Sequence, residues 1–362
     1  MARKCKYVVT IGFPRRSNHV ATYAAPYKEG VDTDFFDFRR TKITIVCERT
    51  VKFSGNEVLD NVQNSIYHQI SKALIVLFLS NMENARINNI TILRKYLSKP
   101  SQIIASRHYT KTKQPFPIFS FHQDPITSAN KVLDETAESI SYRNIVSHWI
   151  RGFTSEGCFQ QFDSLWRAFE RTAVYGNRNN PVVAERSQEK SSLRKMRTNL
   201  ITHTLSLVNS NNLAGSYTYD DIKIFRWREF LHHEYSTSKG AQRDCENFRD
   251  QFVIPNNDGR LAELMQHIFP NIKKRAKSVG MDVALWSLIN GKNLGVRRNH
   301  ELVAVLLCKY AYYYRCKIFH GDSLAQPVIL PPPVNIDEDR VIFLNRLLET
   351  TVRDWLENFH LL

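Results

Sequence analysis

The sequence predicts an α+β chain: a small N-terminal α+β unit followed by a mainly α-helical bundle. Three observations carry this. Residues 42–53 (KITIVCERTVKF) alternate and are rich in β-branched side chains, and a long helical pattern follows them. From about Ala129 the pattern turns helical. Residues 159–175 (FQQFDSLWRAFERTAVY) then form a strongly amphipathic helix. The boundary is expected at 135/136, giving units 1–135 and 136–362.

Taken in order, residues 7–13 read as a short strand ended by Pro14. A loop rich in Tyr, Gly and Asp leads to the strand at 42–53, which Ser54-Gly55-Asn56 punctuates. Residues 57–79 read as one long helix whose core face is Val58, Val62, Ile66, Ile70 and Leu74. Residues 87–96 (INNITILRKY) read as a strand, with a helix from Asn88 as the alternative. Pro100, Pro115, Pro117 and Pro125 break up the segment after it. One or two helices are expected over 129–140 and 143–150. The helix at 159–175 should bury Phe162, Leu165, Trp166, Phe169 and Ala173. Shorter helices come next near Phe230 and Phe248, at 261–269 and at 283–289. The last helix, 337–359, carries acidic residues in its first turn and turns Val341, Leu344, Leu348, Val352 and Trp355 to one side.

Composition narrows the function. The 362 residues carry a net charge of +15, which favours a polyanionic partner, RNA or DNA. The excess is spread along the chain. Arg186, Lys190, Arg194, Lys195 and Arg197 make one basic stretch, read as a solvated helix face or an RNA-facing stripe. The six cysteines form no CxxC pair, so neither a zinc signature nor a disulfide framework is present, and a reducing cytoplasm is expected. The apolar run at 73–79 is too short to span a bilayer, and Pro14-Arg15-Arg16 breaks the first apolar run, so neither membrane anchor nor signal peptide is expected. The cluster His232-His233-Glu234 has no partner at metal-ligand spacing, and no metal or cofactor is expected.

The stretch that concentrates chemistry is 299–322, NHELVAVLLCKYAYYYRCKIFHGD. Asn299 can cap a helix with Glu301 in its first turn, and Gly321 can stop it. Leu302 to Cys308 are apolar on every side, which places this helix at the centre of a bundle. Arg315 and His320 follow near its inner end. A buried charge there needs a partner or a task. The spacing alone is not distinctive, because Arg143/His148 and Arg228/His233 repeat it. The bland reading pairs Arg315 with a carboxylate and leaves His320 at a helix C-terminus, where the dipole favours it.

The ending YYYRCKIFHGD, the upstream FDSLWRAFERT and the closing amphipathic helix resemble a HEPN domain of the Apea-like kind, over about residues 140–362. That resemblance implies a helical bundle, dimerisation and, in many members, metal-independent ribonuclease activity in defence or toxin–antitoxin systems. Carried over, it makes Arg315 and His320 the catalytic pair. Tyr314, Cys316 and Lys317 then flank the substrate. Cys316 stands where active members often have Asn, Asp or His; Arg143-Asn144 with His148 fits that pattern better and is the alternative pair, although it precedes FDSLWRAFERT instead of following it. Expected partners are RNA, a second copy of the chain, and an antitoxin or sensor protein. The alternative function is a HEPN-like module that binds RNA or protein without catalysis.

Overall fold

The structure is a computed structural model that describes residues 5–14, 17, 19–27, 32–80, 87–95, 100–108, 125–175, 193, 196–197, 200, 208–235, 248–250, 258–273, 297–319 and 336–357. It is a mixed α+β protein in two compact units, Met1–Thr154 and Ser155–Leu362.

The N-terminal unit is built on β1 (Cys5–Gly12), β2 (Ala21–Tyr27), β3 (Asp32–Phe38), β4 (Lys42–Arg49), β5 (Asn89–Lys95) and β6 (Gln102–His108). They form one antiparallel sheet in the order β2-β3-β4-β1-β5-β6. Strand alternation sends Tyr7, Val9, Ile11, Phe36, Phe38, Ile43, Ile45, Ile90 and Ile92 into the core. On the other face the register lines up Thr22, Asp37, Thr44, Thr10, Thr91 and Ser106 as one polar row. A sheet covered on one face explains that division.

Strands β2, β3 and β6 lie where the sequence reads as loop. In β3 the reason is Asp34, which occupies a core-facing position and is fully buried. Its carboxylate accepts two bonds from the Arg49 guanidinium of β4, at 2.8 and 2.6 Å. A buried ion pair had the appearance of loop polarity. In β6, the pairing steps from Ile92–Ala105 to Leu93–Ile103, leaving Ile104 as a bulge. Gly55 packs against that bulge: a Cβ there would lie 1.5 Å from the Ile104 carbonyl oxygen.

The single helix expected over 57–79 is two: α1 (Gly55–Asp60) and α2 (Ser65–Leu79). Asn61 Oδ1 accepts from the Gln63 N–H, and Asn64 Oδ1 caps α2 through the Ile66 N–H, both at 2.9 Å. The break shifts the helical phase, so Val62 is 58% exposed while Val58, Ile66 and Ile70 are buried.

Helices α3 (Pro125–Leu133) and α4 (Ala137–Thr154) pack on α2. The turn between them is held from both sides. Lys72 Nζ of α2 donates to Leu133 O at 3.0 Å and pairs with Glu135. Arg143 of α4 donates to Val132 O and Asp134 O and pairs with Glu135 at 3.1 Å. Residues 132–135 are therefore inside the first unit, and the division falls at 154/155 instead of 135/136.

The C-terminal unit contains α5 (Cys158–Tyr175), α6 (Val208–Gly215), α7 (Tyr219–Lys223), α8 (Trp227–Tyr235), α9 (Gly259–Lys273), α10 (Asn299–Val305), a π-helical segment (Leu306–Ala311), α11 (Tyr312–Phe319) and α12 (Ile336–Glu357). Here the apolar periodicity transfers directly. Phe162, Leu165, Trp166, Phe169 and Ala173 of α5 are buried, as are Val341, Leu344, Leu348, Val352 and Trp355 of α12. The two helices pack together, with Phe169 stacked on Trp355 at 5.5 Å. The segment expected to be helical at 283–289 and most of the basic stretch at 186–197 lie outside the described residues.

Candidate functional site

Leu302 through Cys308 are all at most 4% exposed, which matches a run apolar on every side. The helix begins differently from expectation. Arg298 holds the N-cap position, and Asn299 is the first helical residue. The Asn299 side chain instead accepts from Arg260 at 3.1 Å, and Arg260 also forms a buried pair with Asp258 at 2.9 Å. Glu301 is not a solvent-facing first-turn acid: it is 4% exposed, and one carboxylate oxygen has no hydrogen-bond partner among the described residues. Burial raises its pKa, while Arg298 and Arg197 act against that.

The π segment contains Tyr310 and leads into the other tyrosines. Its i→i+5 bonding widens one turn, and such insertions are frequent at functional sites. From Tyr310 onward the rings divide between two neighbours. Tyr310 packs on Phe225, Trp227 and Phe230, with centroids 4.5, 5.2 and 5.6 Å away. Tyr313 also meets Phe230. On the α5 side, Tyr312 faces Trp166, and Tyr314 sets its edge against Phe162 at 5.6 Å.

Both inner hydroxyls are used. The Arg226 N–H, just before α8, donates to Tyr310 Oη at 3.0 Å. Tyr313 Oη donates to Glu229 Oε2 at 3.4 Å. Burial raises the pKa of both phenols, and the Glu229 charge adds to this at Tyr313, so each stays protonated at neutral pH.

Arg315, Cys316 and Lys317 follow as a half-buried run on α11. Tyr314 is only 9% exposed and packs in the aromatic core, so its ring serves packing before any base contact. His320 and Gly321 lie outside the described residues. Cys316 is a free thiol, as are Cys5, Cys47, Cys158 and Cys308.

The two other Arg/His pairs have different surroundings. Arg143 is occupied by two carbonyls and Glu135 in the first unit. Arg228 is exposed on α8, and the His233 side chain is outside the described residues. Among the described residues no group of three or more His, Cys, Asp or Glu is placed to hold a metal ion. None of the described helices is long and apolar enough to cross a membrane.

Arg228 also lines a feature that was not anticipated: a cleft of about 440 Å³ bordered by Lys223, Arg226, Arg228, Glu229 and His267 over Trp227. The signal was present in IKIFRWREF (residues 222–230), where basic and aromatic residues interleave. No family model matches the chain, and no curated protein or solved structure matches it either.

Proposed function

We propose that this chain is a metal-independent endoribonuclease of HEPN type, a defence or toxin effector that acts in the cytoplasm as a homodimer. Arg315 and His320 are its acting pair, and the second unit is a HEPN-like bundle. The first unit serves sensing or substrate placement, in contact with an antitoxin or sensor protein.

The observation that carries this reading is the place of Arg315, which stands half-buried just past a fully buried helix core and its π segment, where a cation is positioned by the scaffold.

The chemistry needs few parts. The RNA 2′-hydroxyl attacks the adjacent phosphorus, forming the new O–P bond as the bond to the 5′-oxygen breaks. Histidine takes the hydroxyl proton or gives one to the leaving oxygen. Arginine holds the non-bridging oxygens as charge gathers in the transition state. The products are a 2′,3′-cyclic phosphate and a 5′-hydroxyl. Five positions on a regular helix turn two side chains about 140° apart, so a second copy completing the site resolves the geometry.

The test is incubation of purified protein with total RNA in EDTA. The wild type should cut. Arg315→Ala and His320→Ala should each abolish cleavage while remaining folded by circular dichroism, and their losses should be strongly non-additive. His148→Ala should keep most activity; its loss there would move the site to α4. RNA binding with no cleavage would favour the non-catalytic module.

A further inference from the structure

Lys223, Arg226, Arg228 and His267 line the cleft at Trp227 together with the carboxylate of Glu229, and Lys223 also pairs with Asp220 just outside the lining. Its volume of about 440 Å³ lies in the range of ligand sites. The arms of Lys223 and Arg226 are more than 40% exposed, and Arg228 and His267 are exposed as well. The aromatic residues beneath are not: Phe225 is 4% and Trp227 3% exposed. The cleft therefore offers cations to an anion, while its Phe225 and Trp227 rings are closed to a stacking base. That combination suits a phosphate backbone and is indifferent to base identity.

The cleft is also built onto the helix of the candidate site. Helix α8 packs on α11. Tyr310 fixes the backbone at Arg226, and Tyr313 fixes Glu229. Arg315 lies two positions past Tyr313 on the same helix. Glu229 sits 3.6 Å from the Arg226 guanidinium. A phosphate entering the cleft competes with that carboxylate for the arginine.

We propose that this cleft is a sequence-independent docking subsite for the RNA backbone, with Arg226 and Arg228 as its phosphate contacts and Glu229 as an intrinsic competitor. This rests on RNA being the ligand of the neighbouring Arg315 site. A free nucleotide would satisfy the same cations, so the experiment separates the two.

The measurement is fluorescence anisotropy of a labelled uridine dodecamer on the full chain carrying Arg315→Ala, titrated across salt concentrations. Adding Arg226→Gln and Arg228→Gln should weaken binding at least about tenfold and lower the salt slope by about 1.4, two single-strand contacts' worth. Glu229→Gln should tighten binding several-fold, an opposite effect that a folding defect does not produce. Arg167→Gln with Arg171→Gln on α5 should leave the slope near that of the parent.

Unchanged affinity and slope in the cleft variants would overturn the subsite while leaving RNA binding elsewhere intact. Displacement of the oligomer by uridine monophosphate at a comparable concentration would overturn the backbone reading in favour of a nucleotide site. Absence of RNA binding by the parent would sink both proposals. Cleft-dependent binding by a wild type that cuts no RNA would uphold the subsite and remove the enzyme.

Discussion

The two units hold their carboxylates differently. In the N-terminal unit Asp34 is buried against Arg49 and half-buried Glu135 meets both Lys72 and Arg143, while the buried Arg94 donates to neutral acceptors, Phe53 O and Gln102 Oε1. Arg49 is further held by Ser65 Oγ at 3.1 Å and lies 3.7 Å from the Tyr27 ring centroid. The C-terminal unit also buries such a pair, Asp258 with Arg260, but there Asp354 takes three hydrogen bonds from neutral donors. Asp354 on α12 accepts from the Ser210 N–H, the Ser210 hydroxyl and Asn209 Nδ2, each at 2.8 Å. Glu301 has one oxygen with no hydrogen-bond partner among the described residues, and its other oxygen lies 3.9 Å from His300 Nε2. An ion pair such as Asp34 with Arg49 ties two strands together and is neutral as a whole. A buried carboxylate whose hydrogen bonds come from neutral donors leaves a group whose ionisation opposes burial. The first arrangement stiffens a scaffold; the second makes stability depend on protonation.

The largest expected effect comes from breaking a pair. Asp34→Ala leaves Arg49 buried without its carboxylate and should cost about 3–5 kcal/mol in urea denaturation. Asp34→Leu combined with Arg49→Met should recover much of that loss, because both desolvated charges disappear together. A loss below about 1 kcal/mol for the single change would show that the pair is not what closes the β3–β4 end of the sheet.

An intermediate effect is expected at Asp354. Asp354→Ala removes the acceptor of three donors, one of them the Ser210 backbone N–H, and should cost about 1–3 kcal/mol. Ser210→Ala removes only one of those bonds and should cost less. Equal losses would assign the whole effect to the Ser210 hydroxyl, and losses near zero for both would mean that α12 and α6 are held by packing alone.

The smallest effect, and the sharpest in sign, concerns Glu301. Burial raises the folded-state pKa of Glu301 and of Asp354 above their ordinary carboxylate values. Their protonated forms therefore fit the fold better. This stabilisation is fully present below the unfolded-state values near pH 4 and is lost as pH rises through the raised folded values. Glu301→Gln should raise the melting temperature slightly at pH 7, and the gain should shrink toward pH 4. A melting temperature at pH 7 below that of the wild type would instead assign Glu301 to a favourable charge interaction with Arg298 or Arg197.

How much of this was legible beforehand depends on the range of the interactions. Local periodicity identified the buried faces of α5 and α12 and the all-round apolar helix from Leu302, because in each case a helix meets its neighbours through residues three and four apart. The strand at β4 was equally legible from its alternation. The candidate site was legible only in part. Arg315 and its neighbours came from the residues and the resemblance, whereas the cleft at Arg226 went unseen although basic and aromatic residues alternate there.

By itself, then, the sequence determined the α+β class, the basic charge, the core faces of the main helices and the centrality of 302–308. The tertiary structure alone decided that Asp34 is a strand residue, since its burial depends on Arg49, fifteen positions away in the neighbouring strand. It supplied the partners of Arg143, whose spacing to His148 repeats that of Arg315 to His320, by closing Val132, Asp134 and Glu135 around it. It also moved the unit boundary to 154/155 and broke the helix at Asn61–Asn64. The physical reason is common to these cases. A charged or polar side chain carries no local sign of whether water or a distant partner will satisfy it, and only the packed chain supplies that partner.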